Sequence, residues 1–390
     1  MDINKIQQQF NELFHSNATL YKSPGRINII GEHTDYNEGF VLPAAIDKAV
    51  YAAISRREDN EVHLFASKYK ESFQTTITDI KPVEKQWANY ILGVVSEIQK
   101  LGLAVGGFNL VIDGDIPGGA GLSSSAALEC AVAFALNDQF DLQLEKMQIV
   151  KVAQKAEHNF AGVLCGIMDQ FASVFGRKNH VVKLDCKTLE YRYVPINIPG
   201  YKFVLFNTNV KHNLASSAYN DRRAACFQGV AWVKEHHPEV NSLRDISVDM
   251  LNTYVKDKDA DIYQKCKFVV EEIERLQLAC EDLEANDLVS LGKRMLATHD
   301  GLSKAYEVSC KELDFLVDQV RNNPAVLGAR MMGGGFGGCT INLIKEEAIE
   351  GITTNLEEAY LKEFGYGIST YHVNIENGSE VIKMPEFSTI

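Results

Sequence analysis

Apolar and polar residues alternate along several stretches of the chain, and this alternation predicts β-strands. It runs through KAVYAAISRR, which begins at Lys48, and continues in VHLFAS. A different spacing, with apolar residues three and four positions apart, predicts helices. This spacing is found in Asn89–Leu101 and in LEKMQIVKVAQKAEHNFAGV, and the N-terminal MDINKIQQQFNELFH is also amphipathic. The first half of the chain therefore mixes strands and helices.

The order of the elements favours an α+β fold over a doubly wound parallel sheet, because strands and helices follow no regular β-α-β rhythm. Two prolines and a glycine in PINIPGY predict a boundary, with an N-terminal lobe of residues 1–197 and a C-terminal lobe of residues 198–390. In the second lobe we expect the strand YKFVLFNTNV and long helices around residues 217–236 and 262–322. A turn-plus-strand unit in ARMMGGGFGGCTINLI and a final strand, YHVNIEN, follow.

Length, charge and cysteine content narrow the possible functions. A chain of 390 residues is expected to form two domains. Its net charge of −13 opposes binding to nucleic acids or to anionic membranes, so we expect neither as a partner. The N-terminus lacks the apolar core of a secretory signal, and the eight cysteines include no C-x-x-C pair. We expect reduced thiols and a cytoplasmic protein; the sequence leaves the oligomeric state open, with a monomer compatible.

The segment Pro117–Ala126, PGGAGLSSSA, places glycines and serines at the predicted start of an apolar helix. Glycines let backbone amides converge, and a helix N-terminus adds unpaired donors and partial positive charge, which together suit nucleotide phosphates. The alternative is a glycine turn before a serine-capped helix that binds no ligand. The segment has no lysine where a P-loop requires one.

A second glycine loop, MGGGFGG, matches the spacing of a dinucleotide-binding motif but leads into a strand rather than a helix. We therefore interpret it as a place where bare backbone closely approaches another segment or a ligand. If the two glycine loops meet, one from each lobe, the active site lies in a cleft between the lobes.

Polar and charged side chains are concentrated in Ser23–Asn37, between the apolar strings INII and FVLPAAI. Charges beside buried strands need partners or a function, although a solvated loop has a similar composition. Carboxylates, a histidine and an asparagine also supply the donors and acceptors that a polyol requires. Asp169 lies at a predicted helix start and Glu157 in the preceding helix, where a helix-terminal or surface carboxylate is the simpler interpretation of each.

Taken together, GRINIIGEHTDYNEGFVLP, GDIPGGAGLSSSAALE and GARMMGGGFGGCTINLI resemble the three motifs of the GHMP small-molecule kinases. The first string, with CGIMDQF and NVKHNLASSAYNDRR, resembles the galactokinase branch of that family. These segments lie in the expected order from residue 21 to about residue 344. The resemblance implies two α+β lobes, one like domain 2 of ribosomal protein S5 and one ferredoxin-like, with the active site between them. It also implies ATP-dependent phosphorylation of the C1 hydroxyl of α-D-galactose, the first committed step of galactose catabolism.

The resemblance further implies roles for individual residues. Arg26 would stabilise the transferring phosphoryl group, and Asp169 would contact the attacking hydroxyl. The residues expected to hold the sugar are Glu32, His33, Thr34, Asp35 and Tyr219. Those expected to hold the nucleotide are Gly119, Ala120, Gly121, Leu122, Ser123, Ser124 and Ser125, and those expected to hold Mg²⁺ are Ser125 and Glu157.

Two alternatives to this activity stay open at the level of sequence. One is a non-catalytic sensor of galactose and ATP, a type of protein that lacks a Ser-Ala pair in the nucleotide loop; here Ser124, Ser125 and Ala126 are all present. The other is a kinase for N-acetylgalactosamine or arabinose, which resembles this chain in the nucleotide loop but differs around Glu32–Asn37.

Overall fold

The computed structural model of the chain describes residues 3–210 and 215–383, with side chains in the second range from residue 218 onward. The strands are β1 (Thr19–Asn28), β2 (Phe40–Val41), β3 (Pro43–Arg56), β4 (Glu61–Ala66), β5 (Glu71–Thr76), β6 (Phe108–Gly114), β7 (His180–Asp185), β8 (Tyr191–Pro195), β9 (Tyr201–Asn207), β10 (Val326–Met331), β11 (Cys339–Lys345), β12 (Ser369–Val373) and β13 (Glu380–Ile382). The helices are α1 (Ile3–Phe14), α2 (Gln86–Lys100), α3 (Ser124–Gln139), α4 (Lys146–Ala156), α5 (Met168–Phe175), α6 (Ala215–Lys234), α7 (Val248–Tyr254), α8 (Ala260–Glu284), α9 (Leu288–Lys304), α10 (Lys311–Val320) and α11 (Ile349–Phe364).

Six strands form the first sheet, in the order β13-β1-β3-β6-β4-β5, and all neighbours are antiparallel except β4 and β6. Successive side chains of a strand point to opposite faces, so β3 contributes to two cores. Tyr51 and Ala53 pack with Phe10 of α1, whereas Ala52 and Ile54 join the main core. The sheet is therefore covered on both faces in this region.

Helix α3 lies on the main-core face of this sheet. It packs against β1 and β3 and against helices α2, α4 and α5. Its residues from Ala126 to Ala133 are all buried, and many of them are alanines, whose small side chains allow close approach to the strands. The N-terminus of α3 is consequently held firmly next to the end of β1, where the functional side chains are found.

The second sheet has the order β10-β11-β9-β12 and is antiparallel throughout. Helices α9 and α10 pack against β10, and α11 packs against α10. A small third sheet joins β2, β7 and β8. Strand β13 returns to the first sheet, where it pairs with β1. The boundary at residue 197 stays a prediction.

Most of the predicted elements are present, and the α+β class is confirmed by the antiparallel sheets and separate helical regions. The helical stretch predicted over residues 262–322 is wrong as one unit, because it is divided into α8, α9 and α10. The break between α8 and α9 lies next to Asp287, whose carboxylate accepts a hydrogen bond from the Ser290 amide and caps the start of α9. ARMMGGGFGGCTINLI forms two strands, β10 and β11, rather than a turn and one strand.

All eight cysteines are free thiols, as the sequence analysis predicts. In the described ranges, none of the helices combines the length and apolarity needed to traverse a lipid bilayer.

Candidate active site

Two cavities lie near the N-terminus of α3. The small cavity, of about 420 Å³, is bordered by most of the residues that the sequence analysis assigns to catalysis and sugar binding: Arg26, Glu32, His33, Asp35, Asp169 and Tyr219. The large cavity, of about 880 Å³, is bordered by the glycine loop and the first turn of α3, including Gly119, Ser124 and Ser125. Both volumes are in the range of small-molecule sites.

Arg26 and Asp169 form an ion pair at the edge of the small cavity. β1 carries Arg26, and the first turn of α5 carries Asp169. The guanidinium donates to both carboxylate oxygens, from Nε to Oδ1 at 2.8 Å and from Nη2 to Oδ2 at 3.0 Å. Nη1 of Arg26 donates to the carbonyl of Gly121, and the Ser123 hydroxyl donates to Asp169. The ion pair therefore connects the small cavity to the glycine loop.

The glycine loop has the conformation expected of an anion cradle. Gly119, Gly121 and Ser123 have φ values of 74°, 71° and 61°, which lie in the left-handed region. The backbone amide of Arg26 donates to the Leu122 carbonyl at 3.2 Å, which fixes the loop to β1. Among the described residues, no acceptor is found for the backbone amides of residues 118–125. The loop and the helix end therefore present several free donors side by side.

Ser123 occupies the N-cap position of α3, but its hydroxyl does not cap the helix. It donates to Asp169 instead. Ser123 therefore does not act as the serine cap that the ligand-free alternative requires, and its side chain leaves the amides of the first helical turn free.

Glu157 lies directly after α4 in a π-helical turn and is buried. Its carboxylate accepts hydrogen bonds from the Ser125 hydroxyl at 2.9 Å, the Gln170 side-chain amide at 2.7 Å and the Cys165 thiol at 3.4 Å. Burial raises the pKa of Glu157, and the nearby Asp169 carboxylate adds to this effect. The site thus holds a buried carboxyl group, whose ionised form is disfavoured without a cation, beside the first turn of α3.

A divalent cation fits this arrangement. Glu157 forms no ion pair with a lysine, arginine or histidine in the part of the chain that the structure describes. In the same part, no three His, Cys, Asp or Glu side chains are grouped as a complete metal site. A hydroxyl and a carboxylate are oxygen donors of the kind that Mg²⁺ prefers, and Mg²⁺ usually keeps water and phosphate oxygens as its other ligands.

Glu32 follows the end of β1 and is held from the second sheet. Its Oε1 accepts from Nη2 of Arg330 at 3.0 Å and from the backbone amide of Gly333 at 2.9 Å. Gly333 belongs to MGGGFGG, and a Cβ added to it would lie 3.9 Å from the Gly121 carbonyl oxygen. The two glycine loops therefore meet, as the sequence analysis anticipates for an active site in a cleft.

His33 belongs to a chain of hydrogen bonds that leads away from the small cavity. Its Nδ1 lies 2.8 Å from the Tyr36 hydroxyl, which lies 2.6 Å from the Tyr306 hydroxyl. Burial lowers the pKa of His33 to about 4, so the imidazole is neutral near pH 7. The Tyr219 ring packs beside it, with ring centroids 5.4 Å apart, and burial raises the pKa of Tyr219. Both side chains thus enter the site uncharged.

Asp35 is enclosed by the loop before α5. A Cβ added to Gly166 would lie only 1.8 Å from Oδ2 of Asp35, so only glycine leaves room for this carboxylate. Burial raises the pKa of Asp35 to about 6, with further contributions from Asp169 and Glu32. Three carboxylates therefore share the small cavity without complete compensation of their charge.

We expect Asp35→Asn to stabilise the fold at high pH. Because the pKa of Asp35 is about 6 in the folded chain against an ordinary 3.8, the folded state holds the proton more tightly than the unfolded state. The ionised carboxylate thus costs free energy above pH 6, and this cost falls as the pH decreases towards 4. The variant should gain about 1–3 kcal/mol in unfolding free energy at pH 8 and less at pH 4.5, measured by urea unfolding. An equal gain at both pH values would contradict the charge argument.

Thr34 is the predicted sugar-binding residue that the structure places elsewhere. It is fully buried, does not border the small cavity, and donates its hydroxyl to the backbone carbonyls of Gly31 and Phe40. Its side chain closes the turn that carries Glu32 and His33, and a sugar contact of Thr34 stays a prediction. In the glycine loop, the Ala120 and Leu122 side chains are also buried, which leaves only their backbone for a ligand.

Several residues at the cavities were missed by the sequence analysis. Trp87, Tyr69 and Lys68 border the large cavity, and no local pattern indicates this. Gln170 and Arg330 contact Glu157 and Glu32, respectively. Both residues lie inside the motif strings quoted above, and this position in the sequence could have indicated that they are near the site.

Known proteins resemble the chain over nearly its whole length. Residues 8–56 match the family model described as galactokinase galactose-binding signature, residues 89–177 match GHMP kinases N terminal domain, and residues 279–362 match GHMP kinases C terminal. A galactokinase of Thermotoga maritima is 41% identical over 363 residues, which cover 93% of this chain and 99% of that protein. The chain belongs to the galactokinase family.

Other members of the galactokinase family give the same result. A galactokinase of Limosilactobacillus fermentum is 40% identical over 385 residues, covering 97% of this chain and 99% of that protein. The crystal structure of Lactococcus lactis galactokinase complexed with galactose matches with a TM-score of 0.93 at 33% identity, covering 97% of this chain and all of that one (100%). Methanococcus jannaschii mevalonate kinase shares the fold, with a TM-score of 0.63 at 19% identity over 93% of this chain and 99% of that one. The predicted family and its two-lobed GHMP kinase fold are confirmed.

Proposed function

We propose that this chain is a phosphotransferase that moves the γ-phosphoryl group of ATP to the C1 hydroxyl of α-D-galactose, giving galactose 1-phosphate and ADP. The observation that carries the proposal is the Arg26–Asp169 ion pair, which stands between the small cavity and the glycine loop. The galactose-binding signature of the family spans residues 8–56 and so includes four polar residues of the small cavity. The Lactococcus lactis relative was solved in complex with galactose.

In this proposal the small cavity holds the sugar. Glu32 and Asp35 accept hydrogen bonds from sugar hydroxyls, and Tyr219 and the neutral His33 complete the polar wall. Vicinal hydroxyls each need a donor and an acceptor, and this mixture of carboxylates and uncharged groups supplies both. Asp169 reaches the same cavity and orients the C1 hydroxyl towards the glycine loop.

The nucleotide occupies the large cavity, with its phosphates on the free amides of Gly119–Ser125 and the first turn of α3. Trp87 and Tyr69 offer aromatic surface at the same cavity for the base. Phosphoryl transfer depends mainly on positioning and on neutralising charge in a loose transition state. Arg26 serves both needs. Its guanidinium positions Asp169, and its positive charge lies at the Gly121 carbonyl, in the loop that takes the phosphates.

We further propose that the metal ion is Mg²⁺, held by the Ser125 hydroxyl and the Glu157 carboxylate. When bound, Mg²⁺ neutralises charge on the terminal phosphates of ATP. Gln170 holds Oε2 of Glu157 through its 2.7 Å hydrogen bond, whereas Ser125 binds Oε1. Buried carboxylates that lack a basic partner are expected to gain most from such a cation.

Turnover on a panel of sugars tests the assignment. We expect the highest kcat/KM with galactose when ADP release is measured on galactose, N-acetylgalactosamine, glucose and arabinose under the same conditions. Tight binding of galactose and ATP without ADP release would instead identify a sensor. A higher kcat/KM with N-acetylgalactosamine would change the substrate and leave the family unaffected.

A further inference from the structure

Arg330 is the bulkiest fully buried side chain in the ranges that the structure describes. Every nitrogen of its guanidinium is engaged: Nε donates to the Ile29 carbonyl at 2.9 Å, Nη1 to the Met331 carbonyl at 2.6 Å, and Nη2 to the Asn28 carbonyl. Nη2 also forms the 3.0 Å ion pair with Glu32. Burying a charged group is costly, so a complete set of partners is needed to keep Arg330 in this place.

The two oxygens of Glu32 have different surroundings. Oε1 accepts from Arg330 and from the amide of Gly333, whereas Oε2 accepts from no described residue. Some polar side-chain atoms of the described residues are fully buried and have no hydrogen-bond partner, but Oε2 is not one of them. Glu32 also borders the small cavity. One oxygen is therefore fixed by protein donors, and the other is open to the cavity.

We propose that Arg330 is a positioning residue, which fixes Oε1 of Glu32 so that Oε2 is aimed at a hydroxyl of the bound sugar. The inference deepens the proposed function, since it assumes that the small cavity takes galactose. The terminal torsion angle of a glutamate has a broad distribution when nothing holds the carboxylate. The sugar would then have to order the carboxylate on binding, which lowers the affinity. Two donors on Oε1 remove that freedom before the sugar arrives.

Arg330 belongs to β10 in the second sheet, while Asn28, Ile29 and Glu32 lie at the end of β1 and just after it. A purely structural contact between these segments would affect stability and both substrates alike. A positioning role affects galactose selectively, because three of the four hydrogen bonds of Arg330 go to the segment that carries Glu32, the fourth goes to the adjacent Met331, and none goes to Gly119–Ser125.

The test compares Arg330→Lys and Arg330→Gln with the full-length parent. We expect Arg330→Lys to raise the galactose KM about tenfold or more, with the ATP KM within about twofold and kcat within about threefold. Arg294→Lys is the matched control, because Arg294 also grips a carboxylate, that of Asp282, between α9 and α8 and borders neither cavity. It should leave both KM values within about twofold of the parent.

Galactose analogues that each lack one hydroxyl group test whether Arg330 affects galactose binding through Glu32. The parent should lose most affinity with whichever of 2-, 3-, 4- or 6-deoxygalactose lacks the hydroxyl that Oε2 accepts, and this penalty should shrink in both Glu32→Gln and Arg330→Lys. The inference is overturned if the full penalty persists in the folded Arg330 variants, or if the effects of Glu32→Gln and Arg330→Lys simply multiply in the double variant. A parent that fails to phosphorylate galactose would overturn the proposed function instead, which is a different result.

Discussion

Asp169→Asn is expected to lower kcat for galactose by at least about 100-fold (about 2.7 kcal/mol), with the galactose KM within about threefold. Asparagine has nearly the same shape, so the sugar still meets an oxygen in the same position. It loses the negative charge that pairs with Nε and Nη2 of Arg26, at 2.8 and 3.0 Å, and that in our proposal orients the C1 hydroxyl. Steady-state ADP release over a range of galactose concentrations measures both parameters.

Asp282→Asn provides the matched control for this substitution. Asp282 is also gripped by two nitrogens of one arginine, Arg294, but it borders neither cavity. Its replacement should affect thermal stability and leave kcat within about twofold of the parent. If Asp169→Asn keeps turnover within about tenfold of the parent, Asp169 is not the residue that orients the hydroxyl.

Residues of the site that are close in the chain could be predicted from the sequence alone. Glu32, His33 and Asp35 lie in one turn after β1, and the serines of the glycine loop open α3 directly. The pairing of Arg26 with Asp169, which are 143 positions apart, is different. The spacing of apolar and polar residues gives no information about contacts between positions so far apart. The expectation that both residues act on the reacting groups therefore came only from the family resemblance.

The remaining features depend on three-dimensional packing. Thr34 resembles its polar neighbours in sequence, but the tight turn brings two carbonyls to its hydroxyl and turns it away from the cavity. Trp87 begins a helix far from the glycine loop in sequence and reaches the large cavity only because α2 packs against α3. The motif string that contains Arg330 places it near the site, but its contacts with Ile29 and Glu32 are visible only in the folded chain.

Gly166→Ala is expected to raise the galactose KM by about 100-fold or more, with the ATP KM within about twofold. The new methyl group would stand 1.8 Å from Oδ2 and 2.6 Å from Cγ of Asp35, so the carboxylate has to leave its position in the small cavity. Gly166 does not have a left-handed φ, so alanine strains no backbone torsion there. Gly351→Ala in α11, where a Cβ meets nothing within 4 Å, is the control and should leave both KM values unchanged. A normal galactose KM in Gly166→Ala would mean that the sugar does not depend on Asp35.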